Sequence, residues 1–211
     1  MHELSVSLLG PVRATRAGVP TPVPGRRQRA LLAALALRLD GTVSVADLVD
    51  AVWDEDPPER ARTTLQTYVS RLRAVLGEEA IVHGPGGYRL HEGATTDVAQ
   101  ARRSLAEARS LAAADPGRAA AVSLDAADPG RAAAVSLDAV DLWDGPALAE
   151  FAEQGWFVPA VVGLGELRAN LLDAAGEALV ASGRATDAVA LLDEAVRADP
   201  FREPTQLLLV E

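Results

Sequence analysis

Residues 62–76 read RTTLQTYVSRLRAVL, and a glycine-rich stretch, HGPGGYRL at 83–90, closes behind them. Successive helical residues advance by about 100°, so a packed face recurs every three and four positions. Leu65, Tyr68, Val69, Leu72 and Leu76 then share one stripe. The opposite face carries Thr63, Gln66, Thr67, Ser70 and Arg71, with Arg62 and Arg73 on its flank. Short hydrogen-bonding groups between guanidinium groups are what a major-groove reader needs. Arg can take guanine in a bidentate contact, Gln can pair with the adenine edge, and a Thr methyl can pack on thymine, at roughly 1–3 kcal/mol of discrimination per good bidentate pair. A solvated amphipathic helix would show the same two faces. The glycine hairpin behind the helix tips the reading toward a recognition helix followed by a wing.

Working outward, the order of elements supports that reading. Leu4, Val6 and Leu8 alternate with polar residues before turns at Gly10-Pro11, Gly18 and the prolines 20, 22 and 24, a strand-and-turn pattern. The segment 26–39 has helical composition and stops at Asp40-Gly41. Ser44 caps a short helix with Val45, Leu48, Val49, Val52 and Trp53 on its core face, and Asp47 supplies the capping-box acid. An acidic turn from Asp54 to Arg60 leads into the third helix, and Ile81-Val82 with Tyr88-Arg89-Leu90 make a hairpin.

Composition bounds the function classes. The 211-residue chain has room for two small domains. It contains no cysteine, which removes disulfides, thiolate metal sites and cysteine nucleophiles and fits a reducing cytoplasm. No apolar run approaches the roughly 20 residues of a membrane span, and no signal peptide is expected, so no membrane partner is expected either. All 20 basic residues are Arg, a codon bias of GC-rich genomes. The net charge of −10 is uneven: residues 1–92 hold 11 Arg and 11 acids, whereas residues 93–211 hold 9 Arg and 19 acids. A neutral first part can still present an Arg-rich face, because its acids gather at Asp47, Asp50 and 54–59. The acidic second part is not expected to bind DNA.

Catalysis finds no support. The three histidines, at 2, 83 and 91, lack metal-ligand spacing, and GPGG lacks the Lys-Ser/Thr of a phosphate loop. No cofactor or metal is called for, and an enzyme is not expected.

The ordered motifs LLGPV, GRRQRALLAALAL, SVADLVDAVW, DPPERARTTLQTYVSRLR and PGGYRL resemble the SARP family, the Streptomyces antibiotic regulatory proteins, over residues 4–92. This resemblance implies an OmpR-type winged helix at 1–93, an α+β winged helix-turn-helix domain. LWDGPALAEF at 142–151 is similar to a segment in the middle of the family's bacterial transcriptional activation domain, an all-α, tetratricopeptide-like module expected at 94–211. Helices are expected at 98–113, 131–142, 161–182 and 185–198, with a last one starting near Glu203. Leu164, Leu167, Leu171, Leu172, Ala175 and Leu179 would share one face, and Ala188, Leu191, Leu192 and Ala195 another. Such helix pairs must stack to bury both faces.

The resemblance also implies roles. Thr67 and Arg71 match base-facing sites, and Arg73 a phosphate or base-edge site. Arg26, Arg27 and Arg62 are plausible phosphate contacts or plain surface residues. His83, Tyr88 and Arg89 belong to the wing, where His83 is equally a plain turn residue and Tyr88 equally a packing residue. Asp54, Glu55, Asp56 and Glu59 are candidates for a σ-factor contact on RNA polymerase, or an acidic solvated turn. Trp53 and Trp143 are assigned to cores. The function implied is a sequence-specific transcriptional activator of an antibiotic or other secondary-metabolite gene cluster, binding direct repeats of double-stranded DNA as two protomers and recruiting RNA polymerase. The alternatives are a helical-repeat interaction protein, or a DNA-binding remnant acting as repressor or competitor.

Two features depart from the family. ADPGRAAAVSLDA occurs twice in tandem, at 114–126 and 127–139. Thirteen residues advance a helix by about 1300°, so an unbroken helix would put the second copy on another face, and each Pro-Gly breaks or restarts the helix. This reads as an in-frame duplication absorbed at the surface as a turn or short helix. The sequence also stops within an apolar helix, LLLVE at 207–211, so the activation domain is expected to be incomplete.

Overall fold

The structure is a computed structural model describing residues 3–113 and 127–210. The first copy of the tandem repeat, and with it the expected surface insertion, lies outside the described residues. The chain forms two compact units: Met1–Ala99 with Trp143–Leu164, and Gln100–Leu142 with Gly165–Glu211.

In the first unit, β1 (Leu4–Ser7), β2 (Arg13–Arg16) and β3 (Val19–Thr21) form an antiparallel meander, followed by α1 (Arg26–Leu37), β4 (Val43–Ser44), α2 (Val45–Trp53), α3 (Ala61–Leu76), β5 (Ile81–Gly84), β6 (Gly87–Leu90) and β7 (Thr95–Thr96). One sheet has the order β3-β2-β1-β7, with β7 parallel to β1, and the other the order β4-β6-β5. Alternation in β1 buries Leu4 and Val6 completely, and α1 buries Leu31, Leu32 and Leu35. Leu48, Leu65, Leu72 and Ile81 complete the core among α2, α3 and the hairpin. Burying side chains of this size contributes about 1.5–3 kcal/mol each.

The expected cap is present. Ser44 Oγ accepts the Asp47 N–H at 3.0 Å and donates to Asp47 Oδ2 at 2.9 Å. The carboxylate therefore closes the box on the hydroxyl, not on the backbone N–H that a longer glutamate reaches. Asp97, at the start of α4 (Asp97–Ala112), accepts the backbone N–H groups of Leu8 and Leu9 at 2.8 and 3.0 Å. Burial pushes its carboxyl above the ordinary aspartate range, against the lowering effect of the backbone donors from Leu9, Leu8 and Val98.

Trp143–Leu164 lies inside the range expected as the second domain, yet it packs in the first unit. The Leu148 N–H donates to the Leu8 carbonyl at 2.9 Å, and the Asp144 N–H to the Leu9 carbonyl at 2.8 Å. Leu148, Phe151 and Phe157 are fully buried, with the two phenyl rings stacked at 5.1 Å. Trp53 is buried as expected; Trp143 is only half-buried, a correction to its core assignment.

The second unit is helical, containing most of α4, then α5 (Pro129–Val140), most of α6 (Val158–Ala181), α7 (Ala185–Ala198) and α8 (Glu203–Val210). The Pro-Gly of the second repeat copy starts α5, with Asp128 Oδ1 capping the Arg131 N–H at 2.9 Å. Ala108, Ala132, Ala133, Ala178, Leu179 and Ala188 pack as one cluster, and side chains this small let helices approach closely. Arg202 locks α8 to α6: it bonds Glu166 at 2.7 Å, Asn170 at 3.0 Å and Asp173 at 2.9 Å, and Thr205 donates to Asp173 at 2.6 Å. Burial works against the charge of Arg202, but its bonds and attraction to Glu166 and Asp173 outweigh that and raise its pKa.

Candidate nucleic-acid interface

The stripe of α3 divides as the periodicity predicts. Leu65, Val69, Leu72 and Leu76 are buried, and Tyr68 is half-buried, stacked on Trp53 at 5.7 Å. Thr63, Gln66, Thr67, Ser70 and Arg71 are all exposed, as is Arg62. Neither Arg62 nor Arg71 has an ion-pair partner among the described residues. Thr67 donates its hydroxyl to the Thr63 carbonyl at 3.2 Å, which fixes the rotamer and leaves the oxygen able to accept.

The wing is the β5–β6 hairpin, with Ile81 opposite Leu90, His83 opposite Tyr88 and Gly84 opposite Gly87. Gly87 has φ 151°, and a Cβ there would stand 2.0 Å from the Val43 carbonyl oxygen, so β6 can lie against β4 only with glycine at this position. His83 is exposed and meets Tyr88 edge-on at 5.0 Å. Tyr88 is buried and is a packing residue, the plainer of its two readings. Arg89 is half-buried, reaching the Leu90 carbonyl at 3.4 Å and Glu92 at 3.5 Å.

Three arginines are more engaged than their sequence contexts indicate. Arg73 directs Nε and Nη2 at the Ile81 carbonyl, at 3.0 and 2.8 Å. Arg26 donates to the Glu150 carbonyl at 2.9 Å and stands 5.0 Å over the Phe151 ring. Arg29, which sequence reasoning passed over, pairs with the Glu150 carboxylate at 2.6 Å. Arg27 is exposed and lies 6.0 Å over the Trp53 ring.

Arg26, Arg27, Trp53, Asp54 and Gln154 line an open recess of about 290 Å³. Gln154 donates to the Ala51 carbonyl at 2.7 Å, but its Oε1 and the Trp53 Nε1 are buried with no partner. Sequence reasoning missed this orphaned indole donor, because a tryptophan on an apolar helix face gives no sign of which way its N–H looks. Asp54, Glu55, Asp56 and Glu59 are all exposed in the turn between α2 and α3, where Asp54 takes φ 56°. They form one acidic edge beside the start of α3.

Known families match both parts of the sequence. Residues 24–90 match the family model "Transcriptional regulatory protein, C terminal", and residues 89–211 match "Bacterial transcriptional activator domain". The chain is 43% identical over 112 residues to the regulatory protein AfsR of Streptomyces griseus, covering 53% of this chain and 12% of that protein. It is 34% identical over 84 residues to the transcriptional regulator RedD of Streptomyces coelicolor, covering 40% of this chain and 24% of that one. The solved structure of Mycobacterium tuberculosis EmbR, in complex with a low-affinity phosphopeptide, superposes with a TM-score of 0.83 at 30% identity, covering 100% of this chain and 54% of EmbR. The chain therefore spans about half the length of the solved relative, and much less of the curated ones. With a helix-and-wing face in its first unit, a helical second unit, and family models matching both parts of the sequence, this chain belongs to the bacterial transcriptional activator domain family, among the SARP regulators that join that domain to an OmpR-type winged helix.

Proposed function

We propose that the chain is a sequence-specific DNA-binding transcriptional activator whose α3 reads the major groove and whose β5–β6 wing meets the adjacent backbone or minor groove. The observation that carries this reading is the exposed face of α3, where Thr63, Gln66, Thr67, Ser70 and Arg71 stand together with Arg71 unpaired among the described residues. Arg71, Thr67 and Gln66 are the base readers, and Thr63 and Ser70 let the helix approach the groove floor. Arg27 and Arg62, both exposed, take phosphate oxygens. Arg26 contributes from its place over Phe151.

A single unit offers few cations, so two protomers side by side on direct repeats supply the grip, with affinity falling steeply as salt rises. The acidic edge at Asp54, Glu55, Asp56 and Glu59 contacts a basic surface of RNA polymerase, in the σ factor. The protein acts in the cytoplasm, and its similarity to AfsR and RedD supports control of a secondary-metabolite gene cluster.

The test is selection of bound duplexes from a random library at about 150 mM salt, with the native chain and with Arg71→Ala. Enrichment of a repeated motif by the native chain alone supports the reading. Enrichment by neither removes it, and places the helical second unit, as an interaction module, in the lead. A motif bound without activation of a reporter identifies a repressor or competitor.

A further inference from the structure

We infer that Arg73 is a positioning residue that clamps the wing to the recognition helix. The inference rests on the DNA-reading role proposed for α3 and deepens it.

The order β4-β6-β5 makes β5 an edge strand. The Ala80 carbonyl accepts the His91 N–H at 3.1 Å, and Ile81 stands opposite Leu90 in the register. In an antiparallel ladder successive carbonyls alternate in direction, so the Ile81 carbonyl is turned away from β6. Nothing in the sheet satisfies it, and Ile81 is 1% exposed, which keeps this stretch of backbone against the core.

Arg73 supplies the missing donors. It sits in the last turn of α3, and its own carbonyl accepts the Gly77 N–H at 2.8 Å as the helix ends. From there Nε and Nη2 converge on the Ile81 oxygen at 3.0 and 2.8 Å. Charged donors make such bonds roughly twice as strong as neutral ones. The turn 77–80 and the core packing of Ile81 hold the hairpin near the helix, and the clamp adds a directional bond that sets the angle between the surface that reads bases and the wing. The guanidinium fork matters here, because a lysine ammonium is a point donor without this planar geometry.

The test uses the full chain with three variants: Arg73→Ala, Arg73→Lys, and a blunted wing carrying His83→Ala and Arg89→Ala. Amide hydrogen exchange in the DNA-free protein reads the clamp directly. The expected result is exchange at 81–90 about tenfold faster in Arg73→Ala, the factor one charged hydrogen bond supplies, and unchanged protection at Leu65 and Val69. Arg73→Lys should show the same pattern. Unchanged exchange at 81–90 overturns the clamp, whether or not the chain binds DNA.

On the operator selected with the native chain, Arg73→Ala should weaken binding about tenfold with the native wing and much less with the blunted wing, because its effect passes through the wing. Equal losses in the two backgrounds would make Arg73 a direct DNA contact and overturn its positioning role. Loss of all motif enrichment by the native chain would remove the DNA-reading proposal, and the exchange experiment would still decide the clamp.

Discussion

Arg71 on α3 and Arg202 at the start of α8 are the same residue put to opposite uses. Arg71 stands exposed, without an ion pair among the described residues. Arg202 has a side chain 12% exposed and divides its donors among Glu166, Asn170 and Asp173. A guanidinium with partners already in place holds a fold together, whereas one without them is available to a ligand. The difference supports the DNA-reading role proposed for the α3 face and assigns architecture to the α6–α8 contact.

The comparison can be broken most sharply at Arg202. Arg202→Ala leaves Asp173, itself 11% exposed, without its cation, and should cost about 3–5 kcal/mol in thermal or denaturant unfolding of the second unit. A loss below about 1 kcal/mol would mean that Arg202 is no more engaged than a surface pair. Ser44→Ala tests a group with local partners only. It should cost about 1 kcal/mol through loss of the α2 cap, read as a lower melting temperature.

Asp97 lies between the two arginines in character, being a charge held by backbone donors alone. Its folded pKa is raised, so the stability it contributes is present below the unfolded value of about 3.9 and is lost as pH rises through the folded value. Carboxyl NMR titration should place its midpoint above 3.9, and the native chain should lose stability relative to Asp97→Asn as pH rises through that midpoint. The smallest effect on stability belongs to Arg71→Ala, within about 0.5 kcal/mol. That same substitution should abolish motif selection, which is the full contrast with Arg202.

How far these roles were legible follows from the range of the interactions involved. The stripe Leu65, Val69, Leu72, Leu76, the Ser44 cap and the helix at 185–198 are set by residues within a turn or two, and periodicity finds them. The placement of Trp143–Leu164 was not legible in that way. Its buried anchors Leu148, Phe151 and Phe157 keep no single helical or strand period, and Leu8 and Leu9, which accept the Leu148 and Asp144 N–H groups, lie far away in sequence. Arginine roles were harder still. Arg26 reads as a phosphate contact from its place at a helix start and Arg73 as a phosphate or base-edge site from the family resemblance, while the Glu150 and Ile81 carbonyls, which engage them, give no signal at those positions. The exposed face of α3 was legible as chemistry because it depends on the helix alone.

The return of Trp143–Leu164 to the first unit has a consequence for how this protein is made. At translation rates of 5–20 residues per second, the stretch that completes the first unit emerges roughly 3–13 s after Ala99. During that interval the nascent winged helix has its recognition helix and hairpin but lacks the donors for the Leu8 and Leu9 carbonyls and the Phe151 ring on which Arg26 lies. A ribosome-bound intermediate of this kind exposes apolar surface that chaperones bind, and synonymous codon changes between 100 and 142 that lengthen the pause should alter the yield of folded protein without altering the protein itself.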